Sequence, residues 1–258
     1  MATIRLLGEH ISYSASPAMQ SAAFAALGLD HRYELADVSA ADLSAAIAAL
    51  RDAEVLGANV TVPHKAAIMP LLDEVDALSR RADAVNTIVN RDGTLIGTNT
   101  DVPAIADEIQ RLNNAPRVAV ILGAGGAARA VAIALTEIGA PDAVMVSRAN
   151  WSELPTLLAD ADLLVNATPI GTNADESPIN PALLHPNLVV LDLVYRPSPT
   201  RLVRDARECG LHAQAGAGIL LGQGWRSLEA WLGHPITNSL KQAMAVALTT
   251  ELGVGADA

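Results

Sequence analysis

Cysteine, aromatic residues and positive charge are all scarce in this 258-residue chain. Cys209 stands alone, so neither an intramolecular disulfide nor a cysteine-rich metal site can form, and a reducing compartment fits that usage. Its expected role is packing. Aromatic residues make up 3% of the chain, and 17 Lys and Arg face 28 Asp and Glu, a net charge of −11. A nucleic-acid binder needs a basic footprint for phosphates and often aromatic platforms for bases, so the composition opposes that class, and an anionic membrane is disfavoured for the same reason. No His, Cys, Asp and Glu residues cluster at metal-ligand spacing, so no metal is expected. His64 reads as part of a loop, and His185, His212 and His234 are scattered along surface or turn positions.

A long uninterrupted apolar run is also missing. The longest apolar stretch, Val118 to Leu135, is broken by clustered glycines and Arg129, which predicts a buried strand, a turn and a helix rather than a membrane span. The opening Met1-Ala2-Thr3-Ile4-Arg5-Leu6 runs into Glu9 and His10 without the apolar core and small-residue cleavage site of a signal peptide. The expectation is a soluble cytoplasmic protein that works on small molecules, with monomer and homodimer both open.

What is present is ample apolar material: 51% hydrophobic residues fill one large core or two modest ones. Short strand-like runs alternate with longer Ala- and Leu-rich segments of helical period, the pattern of an α/β protein with mostly parallel strands. Strands are expected at Thr3 to Gly8, His31 to Ala36 and Val55 to Val62, with helices from Pro17 to Leu27 and from Ala40 to Arg51. Val85 to Val89 and Thr94 to Thr98 flank Asn90-Arg91-Asp92-Gly93, whose Asp-Gly pair favours a hairpin. Pro103 suits the first turn of a helix to about Leu112, and polar Asn113-Asn114-Ala115-Pro116 is a candidate boundary.

Strands at Val118 to Leu122, Ala143 to Ser147, Leu163 to Asn166 and Leu188 to Leu191 then come at the spacing of a doubly wound sheet. Two helices without a strand between them, Gly218 to Leu232 and Ile236 to Leu252, close the chain and are expected to pack back on its first part. The expected division is 1–101, 102–216 and 217–258.

Three motifs carry chemistry. Gly123-Ala124-Gly125-Gly126-Ala127-Ala128 follows an apolar strand and opens a helix, giving G-x-G-x-x-A in the strand-turn-helix context of a dinucleotide site. Gly123 permits the tight turn, Gly125 the close approach of a pyrophosphate, and Ala128 close helix packing. NAD sites place an acidic residue about 20 positions further on. Here that place holds Ser147-Arg148, and a guanidinium can grip a 2′-phosphate, which favours NADP over NAD.

The second motif is Lys65 in Gly57-Ala58-Asn59-Val60-Thr61-Val62-Pro63-His64-Lys65, followed by Gly97-Thr98-Asn99-Thr100-Asp101. An amine and a carboxylate that meet in a cleft provide acid-base chemistry on a hydroxyl or ketone, and with the glycine turn they point to a dehydrogenase. Taken singly, Lys65 also reads as a solvated surface lysine and Asp101 as a helix cap before Pro103. The third motif, Ser14-Ala15-Ser16-Pro17, can hold a carboxylate with neutral donors ahead of a helix or can serve as a serine N-cap.

In this order, together with Ala84-Val85-Asn86-Thr87, Asn166-Ala167-Thr168-Pro169, Asp192-Leu193-Val194-Tyr195 and a terminal stretch from Gly218 to Gln223, the motifs resemble the shikimate dehydrogenase family through nearly the whole chain. The resemblance implies an α/β substrate domain completed by the C-terminal helices, beside a Rossmann domain with a cleft between them. It also implies reversible NADP-linked interconversion of 3-dehydroshikimate and shikimate. Carried over by position, Ser14 and Ser16 bind the substrate carboxylate. Asn59, Thr61, Asn86 and Gln223 bind ring hydroxyls, and Tyr195 lines the same pocket. Lys65 and Asp101 bracket the reacting oxygen; Lys65 donates the proton, and Asp101 orients the substrate and holds Lys65 in place. The cofactor falls to Gly123, Ala124, Gly125, Gly126, Ala127, Ser147, Arg148, Thr168, Gly216 and Ile219.

The chain departs from the family pattern in several places. Tyr13 stands where histidine is usual, before Ser14. The common Asn-Arg-Thr is Ser147-Arg148-Ala149, and a second basic residue is replaced near Ser152, which loosens the 2′-phosphate grip by about 1–3 kcal/mol if a charged hydrogen bond is lost. Thr172 and Ile219 replace methionines near the nicotinamide. Quinate, aminoshikimate or another cyclic hydroxy-carboxylate, with NADP or NAD, therefore stays open as the substrate, and a non-catalytic metabolite sensor is the reading from a different class.

Overall fold

The computed structural model describes residues 1–112, 116–140 and 142–253. The chain divides into two compact units. Unit 1 comprises Met1–Asp101 with Leu221–Gly253, and unit 2 begins at Val102 and runs through Leu220. The polar stretch at 113–116, a candidate boundary by composition, lies outside the described residues apart from Pro116.

Unit 1 is built on β1 (Ala2–Gly8), α1 (Ser16–Ala26), β2 (His31–Asp37), α2 (Leu43–Ala48), β3 (Val55–Val60), β4 (Glu74–Val75), α3 (Ala77–Ala82), β5 (Thr87–Arg91) and β6 (Thr94–Thr98). The six strands form one sheet in the order β2-β1-β3-β5-β6-β4. β1 pairs in parallel with both β2 and β3, and β5 runs antiparallel to its two neighbours. β5 and β6 form the expected hairpin. Arg91 pairs with Thr94, and Asp92 and Gly93 both take positive φ, the requirement of a two-residue type I′ loop. Ile4, Leu7, Leu50, Ile68, Ile88 and Leu95 are fully buried beneath this sheet's covering segments.

Two expectations are corrected here. The helix read over Ala40 to Arg51 starts only at Leu43, because Ser39 Oγ donates to Asp42 Oδ2 at 2.7 Å and its oxygen accepts the Asp42 amide, a local turn that competes with helix. It ends in a 3₁₀ turn over Ala49–Arg51. The strand read to Val62 stops at Val60, where the His64 amide bonds back to the Thr61 carbonyl at 3.0 Å.

Unit 2 contains most of α4 (Asp101–Leu112), then β7 (Val118–Leu122), α5 (Gly126–Glu137), β8 (Asp142–Val146), α6 (Leu154–Ala159), β9 (Leu163–Asn166), β10 (Val189–Asp192), α7 (Arg201–Glu208) and β11 (Ala213–Gln214). Its five strands are all parallel, in the order β11-β10-β9-β7-β8. Counted from β7 this is 2-1-3-4-5, a doubly wound sheet whose order reverses between β7 and β9. Val120, Leu122, Leu164, Val190 and Val203 are wholly buried in one core cluster. Cys209, expected to pack, is exposed instead, because it falls at the C-cap of α7 rather than on that helix's buried face.

The last helices are α8 (Ala217–Leu232) and α9 (Asn238–Leu252). From Leu221 onward they belong to unit 1, where α9 packs on α1 and the Trp231 indole donates to the Ile88 carbonyl of β5 at 3.0 Å. Thr237 caps α9 through Leu240, and Gly253 ends it in the left-handed conformation. No helix among the described residues is long and apolar enough to cross a membrane.

Candidate active site

Open α/β sheets collect ligands at the carboxyl ends of the strands that flank a change in strand order. In unit 1 that place lies between β1 and β3. The segment leaving β1 carries Ser14 and Ser16, and the segment leaving β3 carries Thr61 and Lys65. The two segments are tied together, since the Glu9 amide donates to Val62 O and the Thr61 amide to Leu7 O.

Ser16 opens α1, but the helix is capped at Ala15 without a side-chain bond, so Ser16 is not an N-cap. Ser14 Oγ accepts the Ser16 amide at 3.3 Å. Among the described residues nothing accepts a proton from either hydroxyl, nor from Thr61 Oγ1, so three hydroxyl donors stay free on this side of the sheet. Tyr13 beside them is 45% exposed.

Lys65 is fixed from both sides. The His64 ring is buried and its Nε2–H donates to Val38 O at 2.6 Å, and the Lys65 carbonyl accepts the Val85 amide at 2.8 Å. Lys65 Nζ then meets Asp101 Oδ2 at 2.7 Å, both side chains being partly buried. Asp101 Oδ1 accepts from Asn86 Nδ2 at 2.8 Å. The amide of Asn86 has one possible orientation, because its oxygen receives the Thr100 backbone N–H at 2.8 Å. A carboxylate held at both oxygens and an ammonium held by that carboxylate form a fixed acid-base pair, its lysine four residues after Thr61 on the segment leaving β3.

Asn59 sits deeper, at 4% exposure. Its Oδ1 accepts from Tyr33 Oη at 2.8 Å and its Nδ2 donates to Asn86 O, Thr87 Oγ1 and Ser227 Oγ. Gln223 is nearly buried on α8, where its carbonyl accepts from Ser227 Oγ. The structure thus joins Lys65, Asp101, Asn86, Asn59 and Gln223 into one hydrogen-bonded region of unit 1. Tyr195 belongs to unit 2, three residues past β10.

Sequence reasoning missed Tyr33, Thr87, Thr100 and Ser227. The signals were weak but present. Thr87 and Thr100 adjoin Asn86 and Asp101, and Ser227 follows Gln223 by four residues, one helical turn on the same face.

In unit 2 the order reverses at β7 and β9, and the glycine turn leaves β7 while Thr168 follows β9. Gly123 is required by the fold. Its φ is +118°, and a Cβ there would lie 3.1 Å from Ala167 O. Gly125 is different: it caps α5 with an ordinary φ of −86° and no side-chain bond, and a Cβ there would meet nothing within 4 Å. Nothing inside the protein demands glycine at that position, and Ala124 to Ala127 are exposed at the start of a 12-residue helix. A turn left bare over free helix N–H groups fits a bound pyrophosphate.

At the end of β8, the Ser147 amide and hydroxyl are folded onto Asn150 Oδ1 and the Ala149 amide onto Ser147 Oγ. Arg148 projects from this tight turn, exposed, with no partner among the described residues. Thr168 Oγ1 is spent on Asn166 Oδ1 at 2.7 Å. Gly216 passes so close to β10 that a Cβ would lie 2.3 Å from Leu193 O, and Ile219 is buried in the first turn of α8. Asp192, fully buried at the end of β10, accepts from Asn166, Val194 and Thr200. Burial pushes its carboxyl up from 3.8 to about 6, against the pull of those three donors.

The description "Shikimate dehydrogenase substrate binding domain" matches residues 6–88. Over 94% of its length the chain is 36% identical to the shikimate dehydrogenase (NADP(+)) of Geobacillus kaustophilus, covering 97% of that protein. The corresponding protein of Symbiobacterium thermophilum is 41% identical over 89% of this chain and 88% of its own. Among solved structures, shikimate 5-dehydrogenase from Thermus thermophilus in complex with NADP(H) and shikimate is 34% identical. It superimposes with a TM-score of 0.86 over 98% of this chain and 100% of that one.

Proposed function

The chain belongs to the shikimate dehydrogenase family, and from that footing we propose that it catalyses the reversible NADP-linked reduction of 3-dehydroshikimate to shikimate, a step toward aromatic amino acids. One observation carries the proposal. Lys65 Nζ lies 2.7 Å from Asp101 Oδ2, in the unit that also holds Ser14, Ser16, Thr61, Asn86 and Gln223.

Each residue has a role that its surroundings support. The hydroxyl protons of Ser14 and Ser16, which have no acceptor among the described residues, donate to the substrate carboxylate, and Thr61 donates to a ring oxygen. Lys65 gives a proton to the carbonyl oxygen in reduction and recovers it in oxidation. Asp101 holds Lys65 Nζ in line, and Asn86 holds Asp101. Asn59 can meet a hydroxyl only through the second lone pair of Oδ1, the first being taken by Tyr33. Gln223 and Tyr195 are assigned to the same substrate on the strength of their motifs alone.

NADP, when bound, supplies hydride chemistry at the reacting carbon. The backbone of Gly123, Ala124, Gly125, Gly126 and Ala127 would hold its pyrophosphate and Arg148 its 2′-phosphate, with Ser147, folded onto Asn150, shaping the turn that presents Arg148. Thr168, Gly216 and Ile219 complete the cofactor set. We assign the activity to the cytoplasm, in keeping with the exposed free thiol of Cys209.

Initial rates of nicotinamide reduction on shikimate and on quinate, each with NADP and with NAD, test this reading. Fast turnover of shikimate with NADP is expected. Silence on shikimate from a folded protein that binds NADP would overturn it.

A further inference from the structure

We infer that Ser227 is a positioning residue for the proposed reaction and that Tyr33 acts with it, an inference that rests on the dehydrogenase reading above. Ser227 lies in the interior of α8 with no exposure. A serine there competes with the helix backbone, and its hydroxyl is costly to bury unless satisfied. Alanine would fill a helix interior more favourably unless the neighbours need an oxygen.

The neighbours do need one. Asn59 Nδ2 can only donate, so the 2.9 Å contact with Ser227 Oγ makes the serine an acceptor. Its own proton goes to Gln223 O at 2.9 Å, and its other lone pair takes the Thr87 hydroxyl at 2.8 Å. At the far end of the same amide, Tyr33 Oη donates to Asn59 Oδ1. Tyr33 and Ser227 therefore hold Asn59 between them and forbid its amide to turn over.

The consequence reaches the reacting pair by short steps. Asn59 Nδ2 also donates to the Asn86 carbonyl at 3.1 Å, and the Asn86 side chain donates to Asp101. Thr87, bonded to Ser227, is the next residue in the chain. The helical turn carrying Gln223 is thus tied by one buried hydroxyl to the strand end carrying Asn86. Ser227 bonds Asn59, Thr87 and Thr100, and Tyr33 bonds Asn59, so both reach the reacting pair through Asn59 and Asn86.

Steady-state kinetics on Ser227→Ala and Tyr33→Phe, each alone and with Asn59→Ala, test the inference. Ser227→Ala is expected to raise KM for shikimate and lower kcat, for a combined loss of about tenfold or more in kcat/KM, with KM for NADP unchanged. Tyr33→Phe should act in the same direction, and neither change should add to the loss already caused by Asn59→Ala. Unchanged shikimate kinetics beside a lowered melting temperature, or a full additive loss in the Asn59→Ala background, would overturn it.

Tyr33→Phe removes a single oxygen and carries the test alone if Ser227→Ala does not fold. Should the wild type fail to turn over shikimate, the functional reading falls. Hydrogen–deuterium exchange of peptides from α8 then decides the tie itself: lost protection in Tyr33→Phe supports it, and unchanged protection overturns it.

Discussion

The side-chain amide of Asn86 donates to Asp101 Oδ1 at 2.8 Å and cannot be reversed, because its oxygen is engaged by the Thr100 N–H. Lys65 takes the other carboxylate oxygen, so the three residues form one device. Lys65→Ala should lower kcat by about 10²–10⁴-fold and leave KM for NADP nearly unchanged. Adding Asp101→Ala to it should cost little more, since groups that act as a unit lose their effect together. Asn86→Asp, which sets a second acceptor-only group against Asp101, should fall below Asn86→Ala in turnover. Measured kcat values for the set decide the point, and Asn86→Asp matching or exceeding Asn86→Ala would detach Asn86 from Asp101.

Gly123 and Gly125 differ in what demands them, and substitution by alanine separates the demands. At Gly123 the positive φ and the nearby Ala167 carbonyl make Ala a folding defect. At Gly125 the φ is ordinary and the space is open, so Ala should fold with the wild-type melting temperature yet bind NADP at least tenfold more weakly. Calorimetric titration with NADP beside thermal melts reads both quantities. A Gly125→Ala protein that binds NADP like the wild type would remove the turn from the cofactor site.

Much of this was legible beforehand, and where it was not the reason is physical. Strand-turn-helix alternation, the Asp92-Gly93 hairpin and the glycine turn are local signals, and apart from α2, which starts three residues late, each element they predict lies within two residues of its expected place. β4 and β11 have two residues each, too few for any alternation to register. Lys65 could have been singled out more simply, for the chain contains only one other lysine, Lys241. The Tyr33–Asn59–Ser227 contact spans residues on β2, β3 and α8 that no local periodicity relates, so only the fold reveals it.

Arg148 stands exposed and unpartnered among the described residues, on a turn whose other polar groups are spent on Asn150. A free guanidinium at the end of β8 gains a charge-assisted bond only from a cofactor carrying the 2′-phosphate. Arg148→Ala should raise KM for NADP by roughly tenfold to a hundredfold and leave KM for NAD unchanged. Equal effects on the two cofactors in steady-state kinetics would show that Arg148 does not read the phosphate.

Asp192 makes stability depend on pH in an unusual direction for a carboxyl. Its folded value of about 6 lies above the ordinary 3.8, because burial opposes the charge more than Thr200, Val194 and Asn166 support it. The protonated form is therefore the one the fold prefers. Its stabilising contribution is complete below 3.8 and is lost as pH rises through 6, a swing of about 3 kcal/mol.

Asp192→Asn should abolish that swing without breaking the site. The amide oxygen can keep the bonds from Asn166 and Val194, while the new N–H₂ faces Thr200 Oγ1, which turns from donor to acceptor. Urea unfolding of both proteins between pH 4 and 8 should give curves that draw apart as pH rises, the Asn variant gaining on the wild type. Parallel curves would mean that Asp192 stays charged in the fold, and that its three donors outweigh the burial.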